Sequence, residues 1–217
     1  MGAIARSAAN LITTSGVVLK GAVNNDSFDN VTALPSSFGD GITLISSQTA
    51  SSSASISFTS GLTSTYKAYK FVFSNMHPAT DNTDFTFNMS TDGGSNYNVT
   101  KTTTTFRPYH FENDSATELA YTTAEDLAQS TAFQILTPFV GNDNDQQCSG
   151  ILTLFNPAST TYVKHFLSRG VISSYHDLTT DHHVAGYGNT TSAVNAIQFK
   201  FSSGNIDAGT IYMYGIK

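Results

Sequence analysis

Charge is the first thing this sequence is short of. Only 12% of its 217 residues are Asp, Glu, Lys or Arg, about half the share usual in soluble domains. Long amphipathic helices draw on Leu, Glu, Lys and Arg, and their scarcity leaves little from which to build such helices. Basic residues are the rarer sign: 10 Lys and Arg against 16 Asp and Glu give a formal net charge of −6. No run of Lys and Arg forms a basic patch, so nucleic acid is not an expected partner. Cysteine is nearly absent. Cys148 alone cannot form an intramolecular disulfide, which points to synthesis in a reducing compartment and to a small, partly buried role for the thiol. There is no tryptophan, the strongest ring for stacking on sugars. No apolar run approaches the ~18 residues of a membrane span. The start, Met1-Gly2-Ala3-Ile4-Ala5-Arg6, lacks the apolar core of a secretion signal and has Arg6 where myristoylation wants Ser or Thr. No membrane partner is expected.

What fills the chain is Ser, Thr, Asn and Gly between isolated apolar residues, with 15 Phe and 10 Tyr to favour pleated, half-buried positions. Residues 1–41 show no sustained period of 2 or 3.6 and carry turn formers such as Asn24-Asn25-Asp26 and Pro35-Ser36-Ser37. They read as an extended arm. Its apolar residues Ile4, Leu11, Ile12, Val17, Val18 and Leu19, with Arg6 to help set register, are candidates for binding a partner by backbone pairing and scattered anchors. Residues 42–217 read as a single β domain. Alternation is clear in Ser55–Thr59, Tyr69–Phe73 and Phe85–Met89, which places Phe58, Phe71, Phe73 and Phe87 on a buried face. Further runs lie at 132–139, 150–155, 162–167, 171–175, 196–201 (with Phe201 buried) and 210–215. Asn75–Asn82 reads as a loop and Asp92-Gly93-Gly94 as a hairpin turn. Thr122–Ser130 reads as one short helix, with a hydroxyl cap and Glu125 and Asp126 in its first turn. The fold class expected is all-β: a two-sheet antiparallel β-sandwich, jelly-roll-like, preceded by the arm.

Catalytic signatures are missing: no Gly-rich phosphate loop, no Gly-x-Ser-x-Gly and no His-Glu-x-x-His. The densest group of chemically active side chains is His176-Asp177 followed by Asp181-His182-His183. Its spacing fits no metal-ligand signature, and it reads as a solvated loop. His77, His110 and His165 stand alone. Glu112, Glu118 and Glu125 are the nearest approach to a glycosidase carboxylate pair. Tyr97, Phe106, Tyr109, Phe111 and Tyr121 offer rings for stacking on sugar, although core packing is the plainer use. The expectation is a non-enzyme with no cofactor and no metal.

Several stretches resemble virion structural proteins of marine tailed phages. They are Leu44–Gly61, then Tyr66–Phe73 and His77-Pro78-Ala79-Thr80, and at the C-terminal end Phe199-Lys200-Phe201, Ser203–Ile206 and Gly209–Ile216. The resemblance implies a β-sandwich module on a bacteriophage particle, made in the host cytoplasm and carried on the virion, with no catalytic motif. The leading expectation is a head-decoration or cement protein, homo-oligomeric and docked on the major capsid protein through its arm. The alternative is a tail or tail-fibre component, held by a tail adaptor, that recognises host-surface glycan.

Overall fold

The computed structural model describes residues 41–217. The arm residues Ile4, Arg6, Leu11, Ile12, Val17, Val18 and Leu19 lie outside the described residues. Twelve strands follow in chain order: β1 (Ile42–Thr49), β2 (Ile56–Phe58), β3 (Ala68–Pro78), β4 (Thr83–Ser90), β5 (Lys101–Phe111), β6 (Thr117–Tyr121), β7 (Gln134–Val140), β8 (Cys148–Phe155), β9 (Lys164–Ser174), β10 (Leu178–Gly188), β11 (Ala196–Phe201) and β12 (Ile206–Ile216). Every pairing between them is antiparallel.

The pairings divide into a wide layer and a narrow one. The wide layer runs β1-β12-β3-β8-β9-β10-β5-β6, and the narrow layer runs β7-β4-β11-β2. They meet at one edge through the single pair Val140↔Ser174. At the other edge the Gln48 side chain of β1 donates to the Ser57 carbonyl of β2 across 2.6 Å. The sheet therefore rolls almost into a barrel, as antiparallel sheets do to limit open edges.

Phenylalanine holds the two layers together. Phe71 and Phe73 on β3 face Phe85, Phe199 and Phe201 from the narrow layer, with ring centroids 5.1 Å apart for Phe73–Phe85 and 5.5 Å for Phe71–Phe199. Phe87 meets Phe166 of β9 edge to face at 5.0 Å. The five phenylalanines placed on buried parity, Phe58, Phe71, Phe73, Phe87 and Phe201, are each no more than 2% exposed. Phe73 needs space that only glycine leaves. A Cβ on Gly150 would sit 2.6 Å from its ring, and Gly150 pairs directly with Gly170.

Three local expectations are corrected. No helix forms among the described residues, and Thr122–Ser130 is an irregular strap. Apart from one turn bond, from the Glu125 amide to the Thr122 carbonyl at 3.1 Å, its backbone bonds go to β5: Leu127 and Ser130 accept from Thr103 and Lys101 at 2.9 and 2.8 Å. The expected loop from Asn75 is strand as far as Pro78. Asp92-Gly93-Gly94 joins strands in different layers, since β5 pairs β10 and β6 and not β4. It is a crossover turn, with Gly93 at φ 74° and Gly94 at φ 90°.

Candidate interaction face and the charge cluster beneath it

The wide layer has one face on the core and one on solvent, and the solvent face is the unusual one. Directly opposed residues of an antiparallel pair share a face, so the register reads out the surface row by row. One row runs Tyr212, Val72, Ile151, Arg169, His183, Phe106, Tyr121 across seven strands. The next runs Leu44, Tyr214, Lys70, Thr153, Leu167, Ala185, Thr104. Among the described residues, nine of the ten exposed large hydrophobic side chains sit on this face: Ile42, Leu44, Phe106, Leu119, Tyr121, Ile151, Phe155, Leu167 and Val171, with Tyr162 the exception. Singly scattered apolar residues are ordinary, whereas a contiguous set on one sheet face marks a binding surface.

Open grooves score this face. One of about 390 Å³ lies over β8, β9, β10 and β5 and takes in Ile151, Leu167, Phe106, Arg169 and Lys70. A neighbour of about 480 Å³ shares Leu167 and Ala185 with it and continues to Phe155 and Tyr187. The polar groups here are largely tied to one another. Arg169 clamps Asp181 with both guanidinium arms, at 2.7 to 3.1 Å, and the Asp181 carboxyl is held below its usual range chiefly by that bond. His183 lies 3.2 Å from Asp181 and stacks flat on Phe106, centroids 4.6 Å apart. Lys70 has no ionic partner among the described residues.

The chemically active groups singled out in the sequence do not converge. Asp181 and His183 face out, His182 faces in, and His176 and Asp177 form the β9–β10 turn, where Asp177 takes φ 56°. The stretch is therefore not a solvated loop but half of a long strand. The aromatic set also divides. Phe106 and Tyr121 oppose each other on the outer face, while Tyr109 and Phe111 lie on the opposite side of β5. Among the described residues, no group of three or more His, Cys, Asp or Glu is placed to hold a metal ion. Cys148 is buried, and burial pushes its thiol up to about 12, which leaves no thiolate for chemistry.

Directly under the outer face lies a charge cluster that sequence reasoning missed. His182 is fully buried; its Nε2 is 2.6 Å from a Glu125 carboxylate oxygen, and its Nδ1 is 2.8 Å from the Leu136 carbonyl. Both partners accept, so both ring nitrogens donate. The other Glu125 oxygen pairs with Arg107, whose guanidinium lies over the Phe139 ring at 5.0 Å. Burial works to raise the Glu125 carboxyl, but His182 and Arg107 together hold it below its ordinary value. Nearby Asp84 goes the other way: burial raises it, against a bond of 3.1 Å from the Phe139 amide, and the repulsive field of Glu125 adds to the rise. Gln134 ties the strap to the cluster, donating to the Glu125 carbonyl at 2.9 Å and accepting from Thr103 at 2.7 Å. No ring nitrogen of His182 reaches solvent, so the cluster clamps strap to strand and presents nothing to a substrate. The only sequence signal for it was the inward parity of His182 on a strand, had β10 been recognised.

No protein-family model matches the sequence, and no curated protein and no solved structure is similar to it. The likeness to phage virion proteins rests on the sequence stretches alone.

Proposed function

We propose that the chain is a non-catalytic structural protein of a bacteriophage particle, a head-decoration protein that binds its neighbours through extended surfaces. The observation that carries the binding role is the solvent face of the wide layer, which collects nine of the ten exposed large hydrophobic side chains among the described residues. The fold reading is a jelly roll. Four nested pairings, β1·β12, β2·β11, β3·β8 and β4·β7, together with the joins β12·β3 and β11·β4, support it. In that reading β5, β6, β9 and β10 are additions that widen one layer. Capsid and lectin domains both use this architecture, so the fold agrees with the role without assigning it. The virion setting and the docking of segment 1–41 on a capsid protein come from the sequence.

The test is to add full-length protein and a variant lacking residues 1–20 to purified particles from which the protein is missing, and to count bound copies after sedimentation. The full chain binds in many copies over the head, and the truncated chain stays folded and unbound. Equal binding by both would remove the arm from the account. The second reading, a tail component that recognises host glycan, is favoured by the exposed Phe106 ring beside Tyr121 and the Arg169–Asp181 pair, a flat apolar surface edged with polar groups. Attachment of a few copies to tails, with binding of host polysaccharide, would select it.

A further inference from the structure

The outer face of the wide layer has a midline. Its eight strands place four on each side of the β8–β9 boundary, with Ile151 and Phe155 on β8 and Leu167 and Val171 on β9. We infer that this face is covered by a second copy of the same chain, packed sheet on sheet about a two-fold axis that runs along the strands at that midline.

Rotation about such an axis lays β8 on β9, β3 on β10 and β12 on β5, so each surface meets a different surface of its twin. A rotation that keeps the rows sets Thr153 over Leu167 and Ile151 over Arg169 at the centre, where Ile151 and Leu167 meet as neighbours in adjacent rows. Further out it sets Tyr212 over Phe106. Lys70, which has no ionic partner among the described residues, comes to lie over Ala185 of β10. An axis across the strands would instead set β3 on β3 and bring the two Lys70 side chains together. The face carries Lys70 and Arg169 against Asp181, with Asp126 bonded to the Tyr121 hydroxyl and Asp114 to His110 at its far edge, which is 2 − 3 = −1 with the histidines neutral, whereas the whole chain carries −6. Two acidic molecules therefore meet little of their net charge across this face. Nine side chains that are 39% to 70% exposed present on the order of 800 Å², the share that each partner brings to a standard interface. Facing sheets at about 10 Å spacing let such side chains interdigitate.

This inference deepens the self-assembly part of the proposed function and does not need the virion setting. In size-exclusion chromatography with light scattering, the full-length chain runs as a dimer and Leu167→Arg runs as a monomer. Because Leu167 points outward, the circular dichroism spectrum of that variant matches the parent, and its melting temperature at high dilution, where the parent also dissociates, does too. Ser95→Arg, on the exposed β4–β5 connection, stays dimeric. The axis is tested by mixing Lys70→Cys with Ala185→Cys under oxidation, since both positions lie in one row and Cys148 is buried. The mixture gives a disulfide-linked dimer and Lys70→Cys alone gives none. A monomeric parent, a dimer indifferent to Leu167→Arg, or cross-linking of Lys70→Cys by itself overturns the proposal. A dimer that ignores particles removes the virion setting and leaves this interface standing, whereas a monomer that binds particles does the reverse.

Discussion

Two side chains show how this fold tolerates charge where it has little. The Lys101 ammonium is buried and donates to the Asn88 side-chain oxygen at 2.6 Å and the Val99 carbonyl at 2.8 Å, with no carboxylate partner among the described residues. Burial pushes its amine down to about 7. The folded value lies below the unfolded one, so the unfolded chain holds the proton more readily, and stability rises as pH climbs from about 7 towards 10. Lys101→Met should therefore raise the melting temperature by about 4 °C or more at pH 6 and by less at pH 9. An equal change at both pH values in thermal melts would contradict this. Glu125 has the opposite sign. Its folded value is lowered, so the stability of its pairs is present above the ordinary carboxylate range and lost as pH falls through the folded value. Glu125→Gln should cost on the order of 3 kcal/mol at neutral pH, with the deficit shrinking in acid as the parent loses the same pair. Urea unfolding across that range checks it, and a deficit that stays constant down to the acid limb would show that the cluster is not ionised.

Among the elements, strands whose alternate residues contrast sharply were legible and strands that alternate one polar residue with another were not. Tyr69–Phe73 and Phe85–Met89 declare themselves because a large apolar residue follows every polar one. β5 opens with Thr102–Thr105, where buried Thr103 and Thr105 alternate with more exposed threonines, and hydropathy is blind to that difference. β10 hid for the same reason, its inward positions being Thr180, His182 and Val184. β9 read as two runs because Ser168-Arg169-Gly170 interrupts the pattern, although Gly170 is there to admit the Thr137 methyl. The strap at Thr122–Ser130 carried the local marks of a helix start. Tertiary pairing with β5 and the inward pull on Glu125 outweighed them, as they do where local propensity is weak. The candidate site was legible only as composition: no sequence pattern shows that Phe106, Ile151 and Leu167 share a surface until the register is known. The glycine pair under Phe73 supplies a test at this scale. Phe73→Ala should cost about 3 to 5 kcal/mol through lost burial and a cavity, and Gly170→Ala, whose Cβ would lie 2.4 Å from the Thr137 methyl, should also destabilise. Full stability of either variant in chemical denaturation would mean that the packing of β3 on β8 and β9 is wrong.

At the scale of the whole molecule, the narrow layer serves to bury one face of the wide layer, and four extra strands enlarge the other face well beyond what a core requires. Sheet area that covers no core is useful only against another surface, and the buried Glu125–His182–Arg107 cluster stiffens the extension from beneath, where it rests on Leu136 and Phe139 of β7. Segment 1–41 supplies the proposed link to a larger particle, and the outer face supplies contact between copies. Association through that face is the central claim, and the mass of the full-length chain in solution tests it most directly. Light scattering across a concentration series should give twice the chain mass of 23.2 kDa, falling to the single-chain value on Leu167→Arg; 23.2 kDa for the parent at every concentration would contradict the account.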